Sequence, residues 1–280
     1  MESGCGIWKE TKENPVNFIK LSLFLLSYIS LNGAVLYEGT ATFRNYGKVD
    51  LNWMVQFLPY NPIIIEAGAY MGDQTVYAAT VWPQSQLIVA FEPNPQAFAK
   101  LQKKVDQEKL KQVKTYNLAL RGYNGTTDLH ICRGPEGNDR SKEYESSVLA
   151  PSNECPNECK GPKVEVPCQI LDDWCQENQV DHIDILRLEL EGLELEVLRS
   201  SPQILKNTKM IFLQSFFRPY REGTANYFEL KAFLTESHFV PLAHWYEQGE
   251  RGLAVYVSQE LYDAYFIKCL GLGLGGLLYP

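Results

Sequence analysis

Three short constellations in this sequence have residue types and spacing that could hold a ligand and move a proton. The first is Glu66-Ala67-Gly68-Ala69-Tyr70-Met71-Gly72-Asp73, with Gln74 and Thr75 after it; the second is Glu92-Pro93-Asn94-Pro95; the third is Arg187-Leu188-Glu189-Leu190-Glu191-Gly192. Gly68 and Gly72 let the chain turn tightly and let a ligand come close to the backbone. Glu92 follows that turn at about twenty residues, the distance at which a nucleoside-binding fold places the carboxylate that accepts from ribose hydroxyls. A turn built for a pyrophosphate would read G-x-G-x-x-G, so that amides and a helix N-terminus could hold the phosphates. Here Tyr70 stands where a glycine would be, and the acids Glu66 and Asp73 flank the turn. Carboxylates repel a pyrophosphate but can face an ammonium and a sulfonium, so the turn suits S-adenosylmethionine better than NAD. In the third constellation, removing a proton from a hydroxyl calls for a positioned base. Glu189 and Glu191 are the candidates, one as base and the other holding substrate or the cofactor's ammonium. Arg187 would tune their pKa values or hold an anionic group. His182, beside Asp181, is the alternative base, and no metal site is assigned.

These residues need a scaffold, and the apolar pattern supplies one. Pro62 to Ile65 and Leu87 to Phe91 are continuous apolar runs of the kind buried on both faces of a parallel sheet. Helical patterns over Gln74–Val81 and Ala97–Glu108 alternate with them, and a strand follows at Val113–Leu118. Ile183–Leu190 reads as a central strand on which Arg187, Glu189 and Glu191 share a face. Burying three charges is costly unless they pair or sit at the open carboxyl end of the sheet. The spacing then predicts a helix over Leu193–Leu205 broken near Pro202, a strand at Met210–Phe216 and a helix at Tyr227–Ser237. Phe239–Leu242 and Gly252–Ser258 complete an antiparallel pair. Asn124-Gly125 predicts a hairpin joining Asn117–Leu120 to Thr127–Cys132. Residues 133–163 form a polar, glycine- and proline-rich insertion, read as an active-site lid around Glu145-Ser146-Ser147-Val148-Leu149, with plain disorder as the alternative.

The words Glu66-Ala67-Gly68-Ala69-Tyr70-Met71-Gly72-Asp73-Gln74-Thr75, Phe91-Glu92-Pro93-Asn94-Pro95 and Asp184-Ile185-Leu186-Arg187-Leu188-Glu189-Leu190-Glu191-Gly192-Leu193-Glu194 resemble the three signatures of the FkbM-type methyltransferases. The resemblance runs from about Asp50 to Ser258 and holds in order and spacing. It implies an α/β class I methyltransferase (Rossmann-like) fold: a mostly parallel seven-stranded sheet, helices on both faces and an antiparallel final strand. It also implies S-adenosyl-L-methionine as cofactor and a hydroxyl on a sugar, glycan or small metabolite as acceptor. Glu66, Gly68, Ala69, Tyr70, Gly72, Asp73, Thr75, Glu92, Pro93, Asn94 and Ala119 are the cofactor residues so implied, with Ala119 beside the adenine. The sequence departs from the family in having Glu66 for an aspartate, Arg187 for a lysine, Glu189 for an aspartate and Gln214 for a glutamate. A non-catalytic binding module on the same fold is the alternative reading, and an NAD-dependent oxidoreductase a more distant one.

The chain of 280 residues is acidic, with a net charge of −8, which argues against a nucleic-acid groove. It divides into an extension over 1–49, a methyltransferase domain over 50–260 and an apolar, glycine-rich tail over 261–280. Within the extension, 18–36 is apolar but short of the roughly twenty predominantly apolar residues of a membrane span. It is read as an anchor or a packed helix rather than an export signal. S-adenosylmethionine is made in the cytosol, so the catalytic domain is expected there, with membrane association through 18–36. Seven cysteines do not form a disulfide framework in a chain of this length. Cys155, Cys159, Cys168 and Cys175 could be counted as zinc ligands or a local disulfide, though packing accounts for the last two.

Overall fold

The computed structural model describes residues 58–133, 143–153, 161–218, 221–247 and 251–264, all within a single unit spanning 37–267. Strand β1, Ile63–Ala67, is buried at every position, as its β-branched run requires. Helix α1 (Asp73–Val81), β2 (Leu87–Phe91), α2 (Pro95–Gln107) and β3 (Val113–Tyr116) follow. The chain then makes a smaller unit from β4 (Ala119–Leu120), β5 (Gly125–His130), a 3-10 turn at Glu143–Glu145 and β6 (Lys163–Gln169). It returns to the main layer through α3 (Leu171–Glu177), β7 (Ile183–Leu188), α4 (Glu194–Ser200), α5 (Pro202–Lys206) and β8 (Thr208–Phe216). Helix α6 (Tyr227–Glu236), β9 (Phe239–Glu247) and β10 (Arg251–Ser258) finish it.

The main sheet has seven strands in the order β3-β2-β1-β7-β8-β10-β9. All run parallel except β10, which lies antiparallel between β8 and β9. The α/β architecture, the strand number and the antiparallel strand are as the sequence implied. Alternate residues of each strand feed two cores. Ile63, Ile65, Val89, Leu186 and Ile211 pack with Trp174, Leu198 and Leu230 on one face. On the other, Ile64, Ile88, Ile185 and Phe212 pack with Ala78, Leu101 and Val105. Chain direction of travel reverses between β1 and β7, and an open parallel sheet binds ligands at such a switch point, beyond its carboxyl ends.

Three local expectations change. The Asn124-Gly125 turn closes no hairpin: β6 is inserted between β4 and β5, parallel to the first and antiparallel to the second. The reason is local, because the Asn124 side chain donates to Asp173 and accepts from the Ile170 amide, which ties the turn to the start of α3. Strand β3 ends at Tyr116 rather than Leu118, and β7 ends at Leu188 rather than Leu190. Among the described residues no helix is long and apolar enough to cross a membrane. The 18–36 segment, the tail beyond 264, Cys155 and Cys159 lie outside the described residues. Cys132, Cys168 and Cys175 are buried, and burial pushes the Cys175 thiol up to about 12.

Candidate functional site

Strand register decides where the first acid goes. Within β1, Glu66 lies beside Ala90 on one side and Arg187 on the other, on the same face as Ile64. Arg187 in turn stands beside Phe212, with its guanidinium carbon 5.6 Å from the ring centre. The Arg187 guanidinium donates to both Glu66 and Glu189, and the Thr75 hydroxyl donates to Glu66 Oε2 at 2.6 Å. Burial works against the Arg187 charge, but the carboxylates of Glu189 and Glu66 outweigh it and push its pKa up. At Glu66 burial raises the pKa and Arg187 opposes it. The guanidinium stays charged, and the two carboxylates share it.

The glycine turn is organised around a different acid. Gly68 and Tyr70 are left-handed, with φ of 85° and 48°, so consecutive amides point the same way. Those of Gly68 and Ala69 donate to the Phe91 carbonyl at 3.0 Å, and that of Tyr70 donates to Glu92 Oε2 at 2.6 Å. The Asn94 amide donates to Glu92 Oε1 at 2.8 Å, while the Asn94 side chain caps α2 by accepting from Gln96. Burial pushes the Glu92 carboxyl up to about 7 against the pull of the Asn94 and Tyr70 amides. Gly68 also has no room for a side chain, because a Cβ there would lie 2.0 Å from the Glu189 carbonyl oxygen. The turns after β1 and β7 are thus pressed together.

Between these turns and the smaller sheet lies a cavity. Gly68, Tyr70, Glu92 and Pro93 form one side, and Leu118, Ala119, Leu120 and Leu129 an apolar wall. Glu143, Tyr144, Ser146, Ser147 and Val148 cover it, and Glu189, Leu190 and Leu193 close the β7 side. The ionisable lining groups include the carboxyls of Glu92, Glu143 and Glu189, and no Lys, Arg or His lines the cavity among the described residues. Tyr70 and Tyr144 meet edge to face, with ring centres 6.3 Å apart. The segment read as a lid is therefore at the cavity. It is tied to β5 by mutual backbone bonds between Ser147 and His130, and to the β7 turn where the Ser147 hydroxyl donates to the Glu191 carbonyl at 3.3 Å.

Of the residues expected at a cofactor, Gly68, Tyr70, Glu92, Pro93 and Ala119 line this cavity, and Glu66, Ala69, Gly72, Asp73, Thr75 and Asn94 do not. Glu66 and Thr75 face the sheet interior, and Gly72 packs on Leu101, where a Cβ would lie 2.5 Å from a Leu101 methyl carbon. Asp73 is exposed and pairs with Lys104 at 2.6 Å. The two acids thought to give the turn its negative field thus lie away from the cavity, and Glu92, Glu143 and Glu189 line it instead. Of the residues expected to do chemistry, Glu189 lines the cavity and Arg187 and Glu191 do not. The shared face expected for Arg187, Glu189 and Glu191 is also absent. The strand ends at Leu188, after Arg187 and before the two acids, and Glu191 at φ 52° with Gly192 at φ 108° turns the chain so that Glu191 bonds Gln214. His182 precedes β7, at the opposite end of the sheet from the cavity, with Nδ1 2.6 Å from Asp181.

Sequence reasoning overlooked Glu143, Tyr144, Glu194 and, in the apolar wall, Leu118, Leu120 and Leu129. Glu194 accepts the amides of Leu190 at 2.8 Å and Gly192 at 3.1 Å, and burial pushes it up to about 8. An acid directly after a glycine turn and before an apolar helical run was its available signal. Nothing local marks Leu129, which β5 carries to the cavity, or Glu143, whose segment is tied to β5 by the Ser147–His130 backbone bonds.

A family model described as "Methyltransferase FkbM domain" matches residues 66–241. The 2-O-methyltransferase NoeI of Sinorhizobium fredii is 26% identical over 167 residues, covering 58% of this chain and 67% of that protein. Methyltransferase sdnD of Sordaria araneosa is 33% identical over 159 residues, covering 51% of this chain and 61% of that protein. The chain thus spans about two thirds or less of the curated relatives it matches. Among solved structures, methyltransferase FkbM from Methylobacillus flagellatus has a TM-score of 0.47 at 12% identity, covering 79% of this chain and 47% of that one.

Proposed function

We propose that this chain, which belongs to the methyltransferase FkbM domain family, binds S-adenosylmethionine in the cavity beyond β1, β2 and β7 and methylates a hydroxyl oxygen. The observation that carries the reading is the cavity's charge: carboxyls of Glu92, Glu143 and Glu189 face it, and no cationic side chain does among the described residues. Such a lining favours a ligand bearing an ammonium and a sulfonium and disfavours a pyrophosphate. When bound, S-adenosylmethionine supplies a methyl group on a positively charged sulfur.

The chain's own residues suit the remaining tasks. Each Glu92 oxygen accepts one backbone amide. A carboxylate oxygen has a second lone pair, so Glu92 can still accept from the two hydroxyls of a ribose. Leu118, Ala119 and Leu129 offer an apolar slot for a flat base. Glu189 gives Oε1 to Arg187, which holds the side chain in place and leaves Oε2 to accept the proton of an acceptor hydroxyl. Ser146 to Val148 and Tyr144 cover the reacting groups and limit the entry of water. The acidic surroundings favour a neutral acceptor, such as a sugar, glycan or small metabolite hydroxyl, over an anionic one. The name of the relative NoeI, a 2-O-methyltransferase, supports oxygen as the atom methylated.

Calorimetry with S-adenosylhomocysteine tests the first half and is expected to show binding, with NAD giving none. Incubation with methyl-labelled S-adenosylmethionine and a panel of sugars and alcohols tests the second and is expected to yield a labelled ether. Absence of S-adenosylhomocysteine binding would sink the reading. Binding with no product from any acceptor, including cell extracts fractionated by mass spectrometry, would favour the binding-module alternative.

A further inference from the structure

Glu191, expected with Glu189 to be the base or to hold substrate or the cofactor's ammonium, sits in surroundings that suit a different job. Glu191 is 6% exposed and Gln214, on β8, 8% exposed, and Gln214 Nε2 donates to Glu191 Oε1 at 3.0 Å. Each side chain then keeps one buried oxygen, Glu191 Oε2 and Gln214 Oε1, with no hydrogen-bond partner among the described residues. Two orphaned acceptors on two side chains that already touch are an unfavourable arrangement, since a buried acceptor loses its water and gains nothing. Both oxygens are acceptors only while Glu191 is ionised. One proton on Oε2 converts it to a donor, and the acceptor it needs is the other orphan.

We propose that Glu191 carries a proton in the folded protein and forms a carboxylic acid–carboxamide pair with Gln214, which fixes the turn after β7. In this pair Gln214 Nε2–H donates to Glu191 Oε1 and Glu191 Oε2–H donates to Gln214 Oε1. Glu191 is therefore a positioning residue and not a general base. Its carbonyl accepts the Ser147 hydroxyl, so the pair also holds the segment covering the cavity. Glu189, two residues earlier, is left as the carboxylate at the reacting end.

The charged groups around Glu191 bear on its proton in both directions. Burial dominates and raises its pKa, Arg251 of β10 and Arg221 oppose that, and Glu145 of the 3-10 turn reinforces it. Glu194 at the start of α4 adds a further acidic neighbour. Neither arginine hydrogen-bonds Glu191 among the described contacts. Arg221 donates to the Glu145 carbonyl and to Cys132 Sγ, and Arg251 lies 3.9 Å from Glu145 Oε1.

The test uses the ligand-free protein, so it stands or falls separately from the methyl-transfer reading. Glu191→Gln replaces the neutral acid with a neutral amide that can make the same two bonds. A carboxyl whose folded pKa is raised contributes stability that is complete below its unfolded value and lost as pH rises through the folded one. The unfolding temperature of Glu191→Gln should match wild type near pH 4.5 and exceed it increasingly toward pH 8, by about 2–4 °C or more. Changes at Glu92, Glu194 and other groups cancel in this difference. Infrared difference spectra at neutral pH should show a protonated-carboxyl band in wild type that Glu191→Gln removes. Gln214→Glu, which makes two carboxyls share one proton, should fold in acid and lose stability with rising pH more steeply than wild type. A pH-independent gap between wild type and Glu191→Gln, or a carboxyl band that survives unchanged in that variant, overturns the proposal. Failure of Glu191→Gln to fold overturns it too, since the amide should replace the acid.

Discussion

Glu66 and Glu92 stand at the carboxyl ends of adjacent parallel strands, are 3% and 6% exposed, and carry the same expectation of facing a cofactor. The fold treats them in opposite ways. Glu66 lies inside β1, where the pleat dictates its side and the register delivers Arg187 and Thr75 as partners. Glu92 lies one residue past β2, where no pleat constrains it, and its partners are two backbone amides. Arg187 and Thr75 each take one oxygen of Glu66, whereas two amides orient Glu92 and leave lone pairs for a ligand. The difference teaches that an acid within a strand is assigned by parity and neighbours, and an acid just beyond one by the turn that receives it.

Removing Glu66 should give the largest effect and sharpen this contrast. Glu66→Ala leaves Arg187 buried with one of its two carboxylates gone, and breaking a buried pair is expected to lose about 3–5 kcal/mol of stability. Denaturant unfolding measures this, and affinity for S-adenosylhomocysteine in the folded fraction should be nearly unchanged. Wild-type stability with lost binding would reverse the roles assigned to the two acids.

Glu92→Ala should act on binding. Loss of charged hydrogen bonds worth about 1.5–3 kcal/mol predicts a roughly tenfold to hundredfold weaker Kd for S-adenosylhomocysteine by calorimetry. An unchanged Kd would remove Glu92 from the cofactor's surroundings. Its titration offers a gentler perturbation of the same contact. With the carboxyl at about 7, protonation below that value turns one acceptor oxygen into a donor. If the ionised form binds, affinity should fall about tenfold from pH 8 to pH 6, and the dependence should vanish in Glu92→Ala. A slope of equal size in that variant would assign the titration to another group.

The smallest effect is expected at Asp73, whose exposed pair with Lys104 is screened by solvent. Asp73→Asn should change stability by no more than about 0.5 kcal/mol and leave S-adenosylhomocysteine affinity as it is. A large loss of affinity would restore the negative field that the sequence suggested for both ends of the turn.

The layout of the main sheet was legible because it depends on short-range rules. Apolar runs at Ile63–Ile65 and Leu87–Phe91, glycines at 68 and 72 and an acid at 92 dictate strand, turn and helix through backbone sterics and burial alone. The order and spacing of the three signatures carried the family as well. What the sequence left open concerns contacts between segments far apart in the chain. Insertion of β6 between β4 and β5, which brings Leu129 and the Ser146–Val148 segment to the cavity, is a pairing choice among several compatible strands. Pairing Glu66 with Arg187 spans 121 residues, and the separation of Glu191 from Glu189 follows from a strand that stops at Leu188. The sequence by itself thus determined which acids at the strand ends could serve the site, and left Glu143 unmarked. Only the tertiary structure decided which of them face the cavity, because a carboxylate's direction and charge depend on the partner that packing places beside it.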